Sequence, residues 1–194
     1  MTMCISDKWD SRYKDRLSAD QHACDVLQDY VHLLPSGGHA LDLASGLGGN
    51  AIFLARQGLT TVAWDISSLA IKKLNRFAFE KGLPLKATVR DIERNPPAKD
   101  TFDVIVVSYF LYRKILPLLS VALRPNGLLF YQTFTIERPL ENPGPSNPDF
   151  LLQPNELLKY FSEMKVLAYR EESISGDLTQ GQRGIASLVA QQLV

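Results

Sequence analysis

Along this chain, stretches with helical spacing of apolar residues alternate with short apolar runs bounded by glycine, proline, serine or asparagine. Residues 18–34 place Ala19, Ala23, Val26, Leu27, Tyr30, Val31 and Leu34 on one helical face. Ser18 and Gln21 have capping-box spacing, and Pro35-Ser36-Gly37-Gly38 stops the pattern, so a continuous helix is predicted over 18–34. Residues 40–44 read as a first strand, 50–57 as a crossover helix closed by Gly58, and 60–66 as a second strand. Ser67 or Ser68 caps the next helix, in which Ala70, Leu74, Phe77 and Ala78 recur before Gly82 and Pro84 end it.

Residues 85–89 are the third strand, and 94–101, with Pro96-Pro97, leave no room for a full crossover helix. The valine-rich run 102–107 has the continuous apolar character of a central strand covered on both faces. A helix over 114–123 carries Pro117 in its first turn, Pro125-Asn126-Gly127 is a turn, and 128–133 is the fifth strand. Five of the eleven prolines, Pro139, Pro143, Pro145, Pro148 and Pro154, then fall between 139 and 154, which predicts a functional or mobile loop. A short helix over 155–164, with Asn155 as its cap, precedes strands at 166–169 and 185–190. No helix separates that last pair, which predicts an antiparallel edge. The expected fold is α/β: a doubly wound, mostly parallel, seven-stranded sheet with an antiparallel edge strand, in a single domain.

Composition narrows the classes. Lysine plus arginine number 21 and so do aspartate plus glutamate, without single-sign runs, so nothing indicates nucleic acid or a polybasic membrane surface. Cys4 and Cys24 are too few for a disulfide scaffold or a metal knuckle, and no metal site is expected. No signal-peptide core and no run of about 18 apolar residues is present, so the expectation is a soluble, cytoplasmic protein.

The chemistry concentrates at the ends of the strands. Ala40-Leu-Asp-Leu-Ala-Ser-Gly-Leu-Gly-Gly-Asn-Ala51 is a strand, a glycine turn and a helix start, and the second strand ends in an acid, Asp65. Such a unit binds adenosine-containing cofactors, because glycine lets a ligand approach backbone N–H groups and the acid grips ribose hydroxyls. Asp42 precedes the turn and Asp91 follows the third strand. In an open α/β sheet the ligand lies beyond the carboxyl ends of the strands, so residues 44–49, 65–66, 91–92, 108–113 and 133–137 are expected to line one crevice. Each has a bland alternative: a tight turn at Gly46 and Gly48, a loop-tying acceptor at Asp42, a helix cap at Asp65, a turn acid at Asp91.

Taken together, residues 40–65, Arg90-Asp91-Ile92, Phe102-Asp103-Val104-Ile105 and Leu123-Arg-Pro-Asn-Gly-Leu-Leu129 resemble the five motifs of class I S-adenosylmethionine-dependent methyltransferases over roughly residues 38–135. Trp9-Asp10-Ser11-Arg12-Tyr13 resembles the N-terminal motif of the tellurite-resistance and thiopurine methyltransferase-like groups, where that segment folds over the cofactor. The resemblance implies a Rossmann-like methyltransferase fold with S-adenosyl-L-methionine as cofactor. It implies a cofactor set of Asp42, Ala44, Gly46, Gly48, Asn50, Asp65, Ile66, Asp91, Ile92 and Ser108, with Asp65 on the ribose and Asp91 and Ile92 at the adenine. It divides the chain into a lid and helix (1–36), a cofactor core (37–135) and a proline-rich substrate loop with the antiparallel end (136–194). Val107-Ser108-Tyr109-Phe110 stands where amino-methylating relatives carry an Asn-Pro-Pro-Tyr type of motif, which argues against adenine or glutamine as acceptor and leaves a small molecule.

Two rival readings remain. Gly46-Leu-Gly-Gly-Asn-Ala51 also satisfies the dinucleotide pattern of an NAD(P)-dependent oxidoreductase, but Tyr109 is followed by Arg113 rather than by a Tyr-x-x-x-Lys pair, and all three histidines precede the turn. The other is a non-catalytic S-adenosylmethionine-binding protein. For methyl transfer the protein mainly aligns a nucleophile with the S–CH₃ bond, and proximity supplies roughly 7–11 kcal/mol at best. Tyr13, Tyr109 and Arg113 are the catalytic candidates, with Tyr112 and Glu137 as further positions. Arg113 would bind an anionic acceptor.

Overall fold

The computed structural model describes residues 4–139 and 144–194. Strands β1 (His39–Leu43), β2 (Thr60–Asp65), β3 (Leu85–Val89), β4 (Phe102–Ser108), β5 (Leu123–Phe134), β6 (Lys165–Glu171) and β7 (Ile185–Gln191) form one sheet in the order β3-β2-β1-β4-β5-β7-β6. All neighbours from β3 to β5 are parallel, and β7 pairs antiparallel with both β5 and β6. The predicted antiparallel end is present, with β7 inserted one place in from the edge.

Helices α1 (Ile5–Tyr13), α2 (Asp25–Asp29), α3 (Gly49–Arg56), α4 (Ser68–Glu80), α5 (Leu116–Ala122) and α6 (Glu156–Tyr160) complete the layers. Strand β4 shows why both faces are covered. Val104 and Val106 join one core with Leu54, Leu59 and Phe130, while Ile105 and Val107 join the other with Leu116, Leu119 and Tyr131. A strand buried on both sides needs apolar residues at every position, which Val104-Ile-Val-Val107 supplies. The chain leaves β1 toward β2 and β3, then returns to place β4 on the other side of β1. That reversal opens a crevice beyond the carboxyl ends of β1 and β4.

Three helices depart from the sequence expectation. The predicted helix over 18–34 is a 3₁₀ turn at Ser18–Asp20, the short α2 and a second 3₁₀ turn at Val31–Leu33. Val26 and Leu27 still enter the core, so the apolar spacing reported burial but not continuity. Tertiary hydrogen bonds break it: the Cys24 N–H donates to Asn50 Oδ1 and the Val26 N–H to Gln132 Oε1, both at 2.9 Å. No capping box forms, because the Gln21 amide donates to the Leu17 carbonyl and Ser18 Oγ is buried without a partner. The helix placed at 114–123 begins as a 3₁₀ turn, Arg113–Ile115, before α5. The helix placed at 155–164 shrinks to α6, and Asn155 is no side-chain cap but adopts a left-handed φ of 59°. In β5, Asn126 bulges at φ 65° without ending the strand. Of the proline-rich stretch, residues 140–143, Pro143 among them, lie outside the described residues.

Phe130 is fully buried in the middle of β5. Phe130→Ala is expected to cost about 3–5 kcal/mol through lost burial and a residual cavity. Urea unfolding will show this as a lower midpoint with an unchanged slope.

Candidate functional site

Past Leu43 the backbone turns sharply. Ala44, Gly46 and Gly48 have φ values of 58°, 53° and 86°. The Ser45 N–H donates to the Trp64 carbonyl and the Gly48 N–H to the Ser45 carbonyl, each at 2.9 Å. A Cβ on Gly48 would collide with Leu74, and one on Gly49 with the His22 carbonyl. The glycine run is therefore required by the chain's own packing, over and above what a ligand needs.

Asp42 is fully buried beneath the turn. It accepts the Ala51 N–H at 2.9 Å and Asn50 Nδ2 at 3.2 Å. Asn50 Nδ2 also donates to Ser108 Oγ at 2.8 Å. The structure thus gives Asp42 the loop-tying acceptor role. Burial pushes its carboxyl up to about 7 against the lowering effect of Asn50 and Ala51. Asp65 is also buried; its Oδ2 accepts the Gly46 N–H at 2.7 Å and its Oδ1 the Ser67 N–H at 2.8 Å. A carboxylate has about four acceptor sites, so these bonds leave Asp65 acceptor capacity. Burial raises its pKa as well.

Asp91 behaves as a turn acid. Its Oδ1 accepts the Glu93 and Arg94 N–H groups, and its Oδ2 lies 3.4 Å from Arg94 Nε. Ile92 is buried beside Trp64 in the core, and Ile66 and Ser108 are half-buried at the ends of β2 and β4.

Helix α1 buries no residue of its own, yet its C-terminal half is tied to α4 at two points. The Asp10 carboxylate accepts from Ser67 Oγ, and from Ser68 Oγ and the Leu69 N–H at 3.2 Å each, at the positive end of α4. Lys73 Nζ donates to the Tyr13, Lys14 and Arg16 carbonyls, each at 2.7 Å. These ties hold Tyr13 over the glycine turn, stacked on Trp9 at 5.9 Å. Its hydroxyl lies 2.7 Å from where a Cβ on Gly46 would be. Burial, then the Asp65 charge, raises the Tyr13 phenol above its ordinary range.

Among the catalytic candidates, only Tyr13 is brought against the buried acids. Tyr109 lies at the end of β4, its ring 5.1 Å from Phe134 and its hydroxyl accepting from Gln132 Nε2 at 2.9 Å. Arg113 departs from expectation. It donates to both Glu156 oxygens and to the Asp149 and Leu151 carbonyls at 2.6–3.0 Å, so its guanidinium ties the 149–156 segment to β4 and is not left for an acceptor. Tyr112 packs on the core, and Glu137 accepts from Ser173 Oγ. Sequence reading missed Lys73 and Gln132, and it named Asp10 and Gly49 without the contacts they make. The Gly48-Gly49 doublet was the signal for Gly49, while Lys73 and Gln132 gave none. Among the described residues, no group of His, Cys, Asp and Glu has metal-binding geometry, and no helix is long and apolar enough to cross a membrane.

Residues 40–127 match the family described as a methyltransferase domain. That match takes in a little under half of this chain and supports the resemblance to S-adenosylmethionine-dependent methyltransferases. Hemagglutinin 1 of Eikenella corrodens is 27% identical over 139 residues, which take in 68% of this chain and 45% of that protein, so the chain spans less than half the length of this relative. TehB from Haemophilus influenzae has a similar structure, with a TM-score of 0.70 at 22% identity, over 95% of this chain and 67% of that one. The [4+2]-cyclase SpnF gives 0.75 at 16% identity, over 98% and 95% of the two chains. Geranyl diphosphate C-methyltransferase from Streptomyces coelicolor A3(2), solved with S-adenosyl-L-homocysteine, gives 0.68 at 14%, over 87% and 76%. At these identities the structural likenesses speak to fold.

The two buried acids make a pH prediction. Burial pushes the Asp42 carboxyl up to about 7 in the folded chain, against about 3.9 for an unfolded aspartate. Between those values the folded chain holds the extra proton, so stability falls as pH rises from about 4 to 7, and Asp65 acts in the same direction. Asp42→Asn will lower stability overall, since its amide must face a donor, and will flatten that fall. Urea midpoints measured across this range check it, and an unchanged slope in the variant contradicts the assignment.

Proposed function

We propose that the chain transfers the methyl group of S-adenosylmethionine to a small-molecule acceptor held in the crevice beyond β1 and β4. The observation that carries this is the convergence of Asp42, Asp65, the Gly46 turn and Tyr13 at the point where the sheet reverses direction. The residues fit the cofactor. Ser45 Oγ is buried in the turn without a partner among the described residues, a polar group that a ligand would satisfy. The two buried acids favour a cationic ligand over a neutral one.

In this reading the cofactor supplies an already activated methyl group. Gly46 and Gly48 form the floor beneath its amino-acid tail, Asp65 accepts from the ribose through its free lone pairs, and Ile66, Asp91 and Ile92 border the adenine. Ala44, Asn50 and Ser108 complete the wall, with Asn50 holding Asp42 and Ser108 in place. Tyr13 and its helix cover the crevice and limit the access of water. Residues 1–36 act as lid, 37–135 as cofactor core and 136–194 as the acceptor side. The N-terminal motif and the TehB likeness support the tellurite-resistance group. Two free cysteines, Cys4 and Cys24, fit a reducing cytoplasm.

The oxidoreductase reading keeps only the glycine pattern and Asp65, since Arg113, held by Glu156, offers Tyr109 no proton-transfer partner. A cyclase shares the fold, so product formation, and not fold, decides between transfer and mere binding.

S-Adenosylhomocysteine is expected to raise the melting temperature of the full chain, while NAD and NADP leave it unchanged. A variant lacking residues 1–14 is expected to stay folded and to bind S-adenosylhomocysteine at least tenfold more weakly in calorimetry. Equal affinity refutes the lid, and a thermal shift with NAD alone reverses the choice of cofactor.

A further inference from the structure

Tyr109 is an aromatic residue with a left-handed φ of 54°, a strained conformation for a bulky side chain. Its backbone N–H donates to the Gln132 carbonyl at 2.8 Å, and its hydroxyl meets the Gln132 side chain, so Gln132 holds it at two points. Gln132 itself is fully buried. Its orientation is fixed by chemistry. The Val26 N–H, near the start of α2, is only a donor, so the atom 2.9 Å from it is Oε1. The amide nitrogen therefore faces Tyr109 and donates to its oxygen at 2.9 Å. The phenol oxygen is thus used as an acceptor, and its own proton has no acceptor among the described residues. That proton is therefore free for a ligand, on a half-exposed ring just past the carboxyl end of β4.

We infer that Tyr109 holds the methyl acceptor by donating its hydroxyl proton to an oxygen atom of that molecule, and that Gln132 sets this polarity as a positioning residue. The inference rests on the crevice being the site of methyl transfer and deepens that reading: the acceptor is an oxygen-bearing small molecule, and Tyr109 is a donor to it, not a base. Burial raises the phenol above its ordinary range, with Asp25 and Cys24 as the nearby titratable groups adding to the rise, so the proton stays in place at neutral pH.

The test uses the full chain loaded with S-adenosylhomocysteine and labelled at the tyrosine Cζ carbons, with benzoate as the oxygen-bearing probe. Benzoate is expected to shift the Tyr109 resonance and to bind at least tenfold more weakly to Tyr109→Phe, while S-adenosylhomocysteine affinity stays the same. Gln132→Glu provides the reading that a structural role would not give. An ionised glutamate accepts from both the Val26 N–H and the Tyr109 hydroxyl, which turns the tyrosine proton inward. A protonated glutamate presents the same polarity as glutamine. Benzoate binding to Gln132→Glu is therefore expected to be weak at pH 8 and to recover toward pH 5, with no such trend in the wild-type chain. Equal benzoate affinity in Tyr109→Phe, no Tyr109 shift in a chain that binds S-adenosylhomocysteine, or a pH-independent Gln132→Glu variant would overturn the inference. Failure to bind S-adenosylhomocysteine would instead overturn the reading of the crevice itself.

Discussion

The Asn50 amide is the constraint on which the rest of the site depends. Its nitrogen donates to Asp42 and Ser108, and its oxygen accepts the Cys24 N–H. Those bonds join β1, β4, α3 and the segment before α2 at one buried point. Asn50 has both of its polar atoms engaged, so the network is satisfied rather than half-built, which is what makes a buried polar cluster tolerable. Remove it and Asp42 loses one of the two donors that offset its burial, while the Cys24 N–H loses its acceptor.

The fold was largely legible because both faces of the sheet are covered. Complete burial leaves its mark as the unbroken run Val104-Ile-Val-Val107, and the crossover helices carry their own period. Ser67 is the cap the sequence proposed, accepting the Ala70 N–H. The N-terminal region was read less well because its shape is decided elsewhere. Asn50 and Gln132, far along the chain, take the N–H groups of Cys24 and Val26 as partners, and local spacing cannot report a bond between residues separated by 26 or 106 positions.

The site was legible as a set of strand ends but not as a set of partners. Gly46, Asp42 and Asp65 gather where the pattern placed them, yet the reason for each differs. Asp65 spans the Gly46 and Ser67 N–H groups, so it shapes the turn whether or not a ribose is bound. Arg113 looked like a free cation at the end of β4 and is instead consumed by Glu156, a pairing that only the return of the chain creates. Asp10 reaches from α1 to the start of α4, and Lys73 reaches back from α4 to the end of α1, so a helix with no buried residue of its own is held by polar ties. Such ties are weaker than apolar packing, which suits the lid role proposed for this helix.

The account stands or falls on where the cofactor lies. A crystal structure of the chain with S-adenosylhomocysteine is the most direct measurement. It is predicted to show the amino-acid tail over Gly46 and Gly48, the ribose hydroxyls within hydrogen-bond distance of Asp65, and the adenine beside Ile92, under the Tyr13 ring. Ligand bound away from the carboxyl ends of β1 and β4, or an Asp65 carboxylate with no contact to the ribose, would contradict it.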